Sequence, residues 1–476
     1  MGKRKSKHIQ GLKGRRFIES LRGIPLEQVV IVPIDAAKHH PKALICNYFG
    51  DILEDSFFFS VNIHGIKLLT EKIQQAIINH NAKRVFIGIE ATGHYHEDIV
   101  RELEKQGYEV TIINPYTTFE ERASALNWSK TDDLDLAAIA TAIIQNKGTE
   151  SKLPLGIHDK LLAACRARRS EVKKRSALQM ETRCLMDVIW REFQGIPTVV
   201  NGKPQVKPVF SDLWGKASCY FMRHYPLPNQ VLALGEKGLR TLSKEQGLQL
   251  RSSTIEKLLR AAAGAITKDP ADLEIELLQL QMKLDDMKRA NEKIEVLEHK
   301  IERLLVQTPG VLLLSAPEIG VITAAEFTAE VGPVSQYNNA GQIIKKAGTN
   351  SMVSQTGGGE AAYGKISKQG NPHLRTVIYN IGYNLAYGTN LYFKAFAKRL
   401  KDNGKRSKQV SIAVGNKFVK VAFAMLRDKS LFQPPTWDDD LLSKDFLVKK
   451  IGDDEHRRLA LETLNSLLKK NQKIVC

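Results

Sequence analysis

The chain has 476 residues, of which 43% are hydrophobic and 26% are charged, a composition typical of a globular protein. Its formal net charge of +18 favours a polyanionic partner such as nucleic acid. No apolar run reaches the roughly 20 residues that a membrane span needs, the N-terminus lacks the apolar core of a signal peptide, and the five scattered cysteines indicate neither disulfides nor a cysteine zinc site. We therefore expect a cytoplasmic protein without a membrane partner.

Basic residues are concentrated in three stretches of the chain. The first is an N-terminal arm, residues 1–27, and the others are residues 165–183 and 394–420. A single stretch is about as often a solvated face, but three on a chain of this charge favour neutralisation of a nucleic-acid backbone. In the second stretch, the side chains that we expect to contact nucleic acid are Arg166, Arg168, Arg169, Lys173, Lys174 and Arg175.

Residues 28–150 are predicted to form an α/β domain, because the hydrophobic period changes in a definite order. Apolar runs at 29–35 and 84–90 are typical of buried strands, and the runs KALICNYF and DSFFFSV after the first one are also strand-like. A strand over YEVTIINP and a helix over KTDDLDLAAIATAII (130–144) close the domain. Three strands, a helix, a strand, a helix, a strand and further helices are the order of a mixed sheet flanked by helices, of ribonuclease-H-like type.

Four carboxylates mark the candidate catalytic site of this domain. Asp35 and Glu90 each end an apolar strand, whereas Asp132 and Asp135 stand three positions apart on one face of a helix. If the two strands are neighbours and the helix packs across their ends, the four acids meet. Such a cluster needs a cation, and its hard oxygen ligands suit Mg²⁺ or Mn²⁺, a pair of which serves phosphodiester transfer. The alternative, that Asp132 and Asp133 only stabilise a helix N-terminus, leaves Asp35 and Glu90 unexplained.

The rest of the chain is predicted to be mostly helical. Strand signals fade after residue 150, and residues 196–240 show no clear period. The expected parts are a basic helical or insert region (151–265), a coiled coil (266–306), a C-terminal domain with a Gly-rich loop (307–435) and a helical tail (436–476).

The coiled-coil segment carries apolar residues that alternate by four and three positions. This spacing favours a dimer, in which a polar residue such as Asn291 would fix the register. The alternative is a long helix packed on its own protein. The seam residues are Leu273, Leu277, Leu280, Leu284 and Met287.

Two sets of motifs resemble one known family. IDAAK, IEATGHY and KTDDLDLAAIA, which carry the four acids, resemble the DEDD transposase domain of bridge-RNA-guided insertion-sequence recombinases, which are related to the Piv-type DNA invertases. SAPEIGVITAAEF is similar to that family's Pro-Gly-Ile-Gly turn, and ISKQGNPHLRTVIYNIGYN to its Ser-Lys-x-Gly-Asn-x-x-Leu-Arg signature. The resemblance covers residues 28–150 and 305–430.

The resemblance implies a RuvC-like domain, which holds metal through the four acids, and a C-terminal domain, whose serine becomes covalently joined to DNA. It also implies a structured guide RNA that pairs with donor and target DNA. The assembly that it implies is a homodimer that forms a tetramer, in which the intervening helices supply the coiled coil. Lys368 and Arg375, in the signature, are then expected to contact phosphate.

The sequence departs from the family at the nucleophile. The serine position falls here on Thr356, just before Gly357. A threonine hydroxyl can attack phosphorus, although its extra methyl crowds an in-line approach. Ser354 is the alternative nucleophile, and a third alternative is that this copy has lost strand transfer. Glu318 also stands where the family's turn has a Gly.

We therefore expect an RNA-guided transposase or recombinase inside a bacterial or archaeal cell, associated with the nucleoid. Its metal site would position the scissile phosphate, and Thr356 would form a covalent intermediate with DNA. A metal-dependent nuclease with water as the nucleophile and a structured-RNA-binding scaffold without chemistry are the alternatives. The presence of all four acids argues against the scaffold, because a protein without catalytic activity would be free to lose them.

Overall fold

The computed structural model describes residues 10–124, 131–150, 156–354, 362–433 and 447–469. The chain divides into two compact units, Met1–Leu153 and Pro154–Cys476. We call them unit 1 and unit 2. The structure has a mixed α/β arrangement in unit 1 and a mostly helical unit 2, as the sequence predicts.

Unit 1 is built on a six-stranded mixed sheet with the strand order β3-β2-β1-β4-β5-β6. The central strand β1 is parallel to β4, and β4 is parallel to β5, whereas the pairs β1/β2, β2/β3 and β5/β6 are antiparallel. The five strands that the hydrophobic runs predict are all present, and a short sixth strand, β6, joins them at the end of the sheet. The strands are β1 (Val29–Asp35), β2 (Lys42–Asn47), β3 (Ile52–Phe58), β4 (Arg84–Glu90), β5 (Val110–Ile113) and β6 (Thr149–Glu150).

Five helices accompany this sheet within the described residues of unit 1. Successive residues of β1 alternate between its two faces, so that Val30, Val32 and Ile34 join one hydrophobic cluster, and Val29 and Ile31 join the other. Helices α2 and α3 contribute to the first cluster and α5 to the second. The helices are α1 (Gly11–Leu21), α2 (Ile63–Asn79), α3 (Tyr95–Lys105), α4 (Pro115–Ser124) and α5 (Asp132–Ile144).

Helix α5 begins at Asp132, two residues after the start of the predicted stretch, and packs closely on the sheet. The side chain of Thr131 caps the helix and accepts a hydrogen bond from the backbone N–H of Leu134 at 3.4 Å. At the other end, Ile143 lies over Gly88 of β4, where a Cβ atom would come within 2.5 Å of the Ile143 side chain. The missing side chain of Gly88 therefore allows α5 to lie directly on the central strands.

Unit 2 contains most of the helices. Helix α15 is long and apolar enough to cross a membrane by length and composition, but 56% of its apolar window is buried inside the protein, as in a core helix. The elements in chain order are α6 (Ile157–Ile189), β7 (Ile196–Val200), β8 (Lys203–Lys207), α7 (Lys216–His224), α8 (Pro228–Glu245), α9 (Ser252–Ala263), α10 (Glu274–Leu305), α11 (Val321–Val331), α12 (Ala340–Ala347), β9 (Ser351–Ser354), β10 (Ala362–Ile366), α13 (Pro372–Tyr387), α14 (Leu391–Asp402), α15 (Ser407–Asp428) and α16 (Asp454–Lys469).

The long helices α6 and α10 pack against each other in antiparallel directions. Three side-chain contacts establish the direction, since positions later in α6 meet positions earlier in α10: Arg168 with Glu298, Arg175 with Asn291, and Glu181 with Lys283. The predicted seam residues Leu280, Leu284 and Met287 are buried in a core cluster of unit 2. This packing corresponds to the second interpretation of the seam, a long helix packed on its own protein, and dimer formation through the seam stays a prediction.

Residues 196–240, which show no clear period in the sequence, form a hairpin and two helices. The hairpin turns at Asn201 and Gly202, which both have positive φ angles (52° and 72°), as a tight two-residue turn requires. Trp190, Phe193 and Phe221 form the aromatic centre of a second core in this part of unit 2.

Candidate active site

Asp35 and Glu90 lie at neighbouring strand ends. In the parallel pairing of β1 with β4, Ile34 stands opposite Ile89, so the next residue of each strand is one of the two acids. Both side chains are half-buried. The hydroxyl of Thr92 donates a hydrogen bond to Oε1 of Glu90 at 3.2 Å. The sheet register therefore places these two carboxylates side by side at the edge of the sheet where β1 and β4 end.

Asp135 is the most deeply buried acid of the four. Its side chain is 9% exposed, and one of its oxygens lies 2.9 Å from the guanidinium of Arg122 in α4. Asp132, at the first position of α5, is exposed. Helix α5 packs on β1 and β4, and its second residue, Asp133, pairs with Lys42, the β2 residue opposite Asp35. The first turn of α5 therefore lies near the end of β1.

A lysine also lies at this edge. Lys42 begins β2, directly opposite Asp35 in the antiparallel pairing. Its ammonium lies 2.6 Å from the carboxylate of Asp133 and 5.2 Å from the ring centre of Phe58. The hydrogen bond from Lys42, together with one from Ser56, holds the pKa of Asp133 below its usual range. Asp133 thus anchors α5 to β2 and does not share the position of the four candidate ligands.

The donor set at this edge fits a hard divalent cation, because all four candidate ligands are carboxylates. Their spacing is wider than in a closed metal cluster: among the residues that the structure describes, three ligand atoms come within 4.8 Å of one another only in a histidine-containing group of unit 2. Arg122 and Lys42 are functional candidates that sequence reasoning missed.

The candidate nucleophile Thr356 lies outside the described residues, in the segment that connects β9 to β10. The alternative, Ser354, is the last residue of β9 and stands opposite Ala362 of β10. The two strands form an antiparallel hairpin, so the ends of the connecting segment are held next to each other.

The signature after this hairpin is a tight structural turn. Lys368 is exposed and has a positive φ of 55°. The guanidinium of Arg375 donates hydrogen bonds to the carbonyls of Ala347 (3.0 Å) and Lys368 (3.1 Å). At Gly370 a Cβ atom would come within 2.3 Å of the carbonyl oxygen of Lys346. Arg375 therefore braces the turn, whereas Lys368 presents its ammonium to solvent.

The predicted nucleic-acid-binding residues of α6 fall into two groups. Four arginines have partners within unit 2, and two lysines, Lys173 and Lys174, are exposed, of which Lys174 pairs with Glu171 on the same helix at 2.6 Å. Of the arginine partners, the carboxylate of Glu330 is 4% exposed, so its pairing with Arg166 at 3.3 Å is mainly structural. The arginine pairs are Arg166 with Glu330, Arg168 with Glu298 and Glu326, Arg169 with Glu326 and His373, and Arg175 with Asn291.

Glu318, which stands where the family's C-terminal turn has a glycine, keeps a backbone conformation that suits glycine. Glu318 takes a positive φ of 58°, the region in which a glycine is least strained. Its carboxylate accepts hydrogen bonds from the backbone N–H and the hydroxyl of Thr389 at 2.9 and 2.7 Å. These bonds lower the pKa of Glu318 and offset the strain of its backbone.

Two parts of the chain, one with the four acids and one in the C-terminal region, match models of transposase families. A transposase family model of the DEDD type matches residues 32–191, and the model described as "Transposase IS116/IS110/IS902 family" matches residues 311–398. The first match contains all four acids, and the second contains the segment with Thr356 and the signature after it. The two matches together span more than half of the chain.

Three curated proteins are similar to parts of the chain. The pilin gene-inverting proteins of Moraxella bovis and Moraxella lacunata are each 26% identical over 153 residues, which is 31% of this chain and 48% of theirs. An uncharacterised protein of the insertion element IS116 from Streptomyces clavuligerus is 24% identical over 240 residues, 48% of this chain and 57% of that protein. The chain thus spans about half the length of the curated relatives that it matches.

Proposed function

We propose that this chain, which belongs to the IS116/IS110/IS902 family of transposases, is a DNA transposase or recombinase that cleaves and rejoins DNA strands. The observation that carries the proposal is that Asp35 and Glu90 stand at neighbouring ends of parallel strands, and that Asp133 in the first turn of α5 pairs with Lys42, opposite Asp35. The strand order and strand directions of unit 1 support a ribonuclease-H-like, RuvC-like fold for it.

The four acids Asp35, Glu90, Asp132 and Asp135 would hold Mg²⁺ or Mn²⁺. A bound pair of such ions supplies activation of the attacking oxygen and stabilisation of the leaving oxygen in phosphodiester transfer. The protein's own part is to fix the carboxylates by sheet register and helix packing. Arg122 of α4 places a compensating positive charge 2.9 Å from the buried carboxylate of Asp135.

Thr356 is the proposed nucleophile. Its hydroxyl oxygen would form a phosphoester bond with the scissile phosphate, and the bond from phosphorus to the departing strand's oxygen would break. That oxygen gains a proton as the hydroxyl loses one, so the step is balanced and leaves DNA covalently joined to the protein. Rejoining reverses the exchange with a different strand. Ser354 remains the alternative nucleophile.

The partners that we propose are donor and target DNA, a structured guide RNA and further copies of this chain. Exposed Lys173, Lys174 and Lys368 and the formal charge of +18 support binding of nucleic-acid backbones. Guide RNA and the dimer that forms a tetramer follow from the family resemblance. Such a protein would work in the cytoplasm, at the nucleoid.

A metal-dependent nuclease is the second candidate function, and one observation favours it. Because threonine stands where the family has serine, the same acids could serve attack by water, which leaves cut DNA without a protein adduct. A Thr356→Ala variant separates the two functions, since only the nuclease keeps cutting.

The first experiment isolates the protein with its native flanking DNA in moderate salt and sequences the nucleic acid that copurifies. One discrete RNA with loops complementary to the element ends supplies the substrate, and Asp132→Asn is then compared with wild type. We expect loss of cleavage with DNA and RNA binding retained. A variant that recombines at the wild-type rate would show that the acids do not form the catalytic site, and random host fragments would favour an unguided enzyme.

A further inference from the structure

Unit 2 carries a histidine and carboxylate cluster that the proposed strand exchange does not use. The cluster joins the C-terminal part of α10 to the start of α16. His299, Asp453 and His456 each offer one ligand atom, and these atoms all lie within 4.8 Å of one another. His299 is exposed, Asp453 is half-buried and the ring of His456 is 1% exposed. A partly solvated group of two imidazoles and a carboxylate has the composition of a transition-metal site.

The spacing of two of these atoms fits ligands around one ion. Nε2 of His299 lies 3.3 Å from Oδ2 of Asp453. Without an ion, the same two atoms are close enough for a long hydrogen bond. This distance equals the edge of a tetrahedron with bonds of about 2.0 to 2.1 Å, the lengths of zinc bonds to nitrogen and carboxylate oxygen. The pair is therefore placed as two ligands of a tetrahedral ion would be.

Neighbouring groups hold the ligands in fixed orientations. Oδ1 of Asp453 accepts a hydrogen bond from the backbone N–H of His456 at 3.0 Å, so the carboxylate is fixed and turns Oδ2 to His299. Nδ1 of His456 lies 2.9 Å from Oε1 of Glu302; in the tautomer in which Nδ1 donates to this carboxylate, Nε2 keeps its lone pair. Glu302 is itself held by the backbone N–H groups of Gly452 and Asp453. Metal-binding histidines typically have such a carboxylate behind them.

We propose that His299, Asp453 and His456 bind a zinc ion, with water in the fourth position and Glu302 as the residue that orients His456. Imidazole nitrogens select zinc over Mg²⁺, which prefers an all-oxygen set such as the acids of unit 1. Two ligands flank the first turn of α16 and one lies on α10, so the ion fastens α16 to α10. The alternative is that these contacts form only a helix cap and ion pairs.

The test measures zinc bound to untagged, full-length protein by equilibrium dialysis with excess Mg²⁺ present, followed by elemental analysis. We expect stoichiometric zinc on wild type and at least a tenfold loss of affinity in His299→Gln, whose exposed side chain can be changed without disturbing the core. Zinc should also raise the midpoint of thermal unfolding of wild type, but not of that variant, because a ligand that binds only the folded state stabilises it.

Two matched controls make the result specific. His224→Gln, an exposed histidine of unit 2 outside the cluster, should keep full zinc binding. Asp132→Asn should also keep it, which separates this site from the acids of unit 1 whether or not the protein recombines DNA. Wild type without stoichiometric zinc, or equal zinc on wild type and His299→Gln, overturns the proposal and leaves the cluster as a helix cap.

Discussion

Ile143 of α5 lies directly over Gly88 of β4, so close that a single added carbon at Gly88 would come within 2.5 Å of the isoleucine side chain. Two residues later β4 ends in Glu90, and α5 starts with the acids Asp132 and Asp135. Ile143 lies at the opposite end of α5 from these acids, so the contact fixes how closely the helix as a whole lies on the strand that ends in Glu90.

Gly88→Ala should consequently disturb both stability and cleavage. The added methyl meets a buried side chain in a packed core, and such overpacking costs about 1 to 3 kcal/mol of unfolding free energy. The shift of α5 should lower cleavage more than DNA binding. Chemical denaturation and a cleavage assay check this. Ile143→Ala in the same chain restores space and should recover part of the cleavage, whereas no recovery would show that packing is not the cause.

Arg122→Gln should lower both stability and cleavage. The pair with Asp135 is largely buried, and removal of one partner from such a pair costs about 3 kcal/mol of stability. Without the guanidinium, α4 no longer contacts the Asp135 carboxylate through this pair, so cleavage should fall more than DNA binding. Chemical denaturation and a cleavage assay measure the two effects. Arg101→Gln, which removes pairs with Glu97 and Asp98 on α3, is the control, and wild-type stability and cleavage in Arg122→Gln would contradict the proposed role.

Much of unit 1 could be predicted from the sequence, because strands and helices there differ in hydrophobic period. Asp35 and Glu90 were recognisable since each ends a buried strand. Lys42 and Arg122 were not, because their roles depend on strand register and on helix packing between residues far apart in sequence. The spacing of apolar residues along α10 is also the same whether the helix packs against its own chain or against a second copy. The hairpin at Asn201 and Gly202, by contrast, carries an Asn-Gly pair, which is a sequence signal for a tight two-residue turn.

Thr356→Ala and Ser354→Ala should differ in the covalent adduct. If Thr356 attacks phosphorus, its alanine variant forms no protein-bound DNA, and Ser354→Ala retains the adduct. Denaturing electrophoresis of labelled DNA with each variant separates joined from free strands. Adduct in Thr356→Ala but not in Ser354→Ala would transfer the role to serine, and strand cutting in both without any adduct would favour the nuclease.

Substitutions on α6 should separate stability from nucleic-acid binding. Arg166→Met leaves the buried carboxylate of Glu330 without this partner, so we expect a loss of about 1 to 3 kcal/mol of unfolding free energy. The double variant Lys173→Ala, Lys174→Ala should leave stability unchanged. It should lower the slope of log affinity against log salt by about 1 for each phosphate group that the protein no longer neutralises. Denaturation and salt-dependent binding measure the two effects, and an unchanged slope contradicts binding of phosphate by these lysines.

Lys450 should make unfolding free energy increase with alkaline pH. Its ammonium donates hydrogen bonds to the carbonyls of Leu314, Ala316 and Ile319 at 2.7 to 3.1 Å, and burial lowers its pKa from 10.5 to about 8. Because the folded pKa lies below the unfolded one, the unfolded chain binds more protons between these values. Stability contributed by this group therefore rises from about pH 8 to about pH 10.5. Denaturation of wild type and Lys450→Met across this range isolates the effect, since the variant lacks the titrating group, and parallel curves would show that burial does not perturb this lysine.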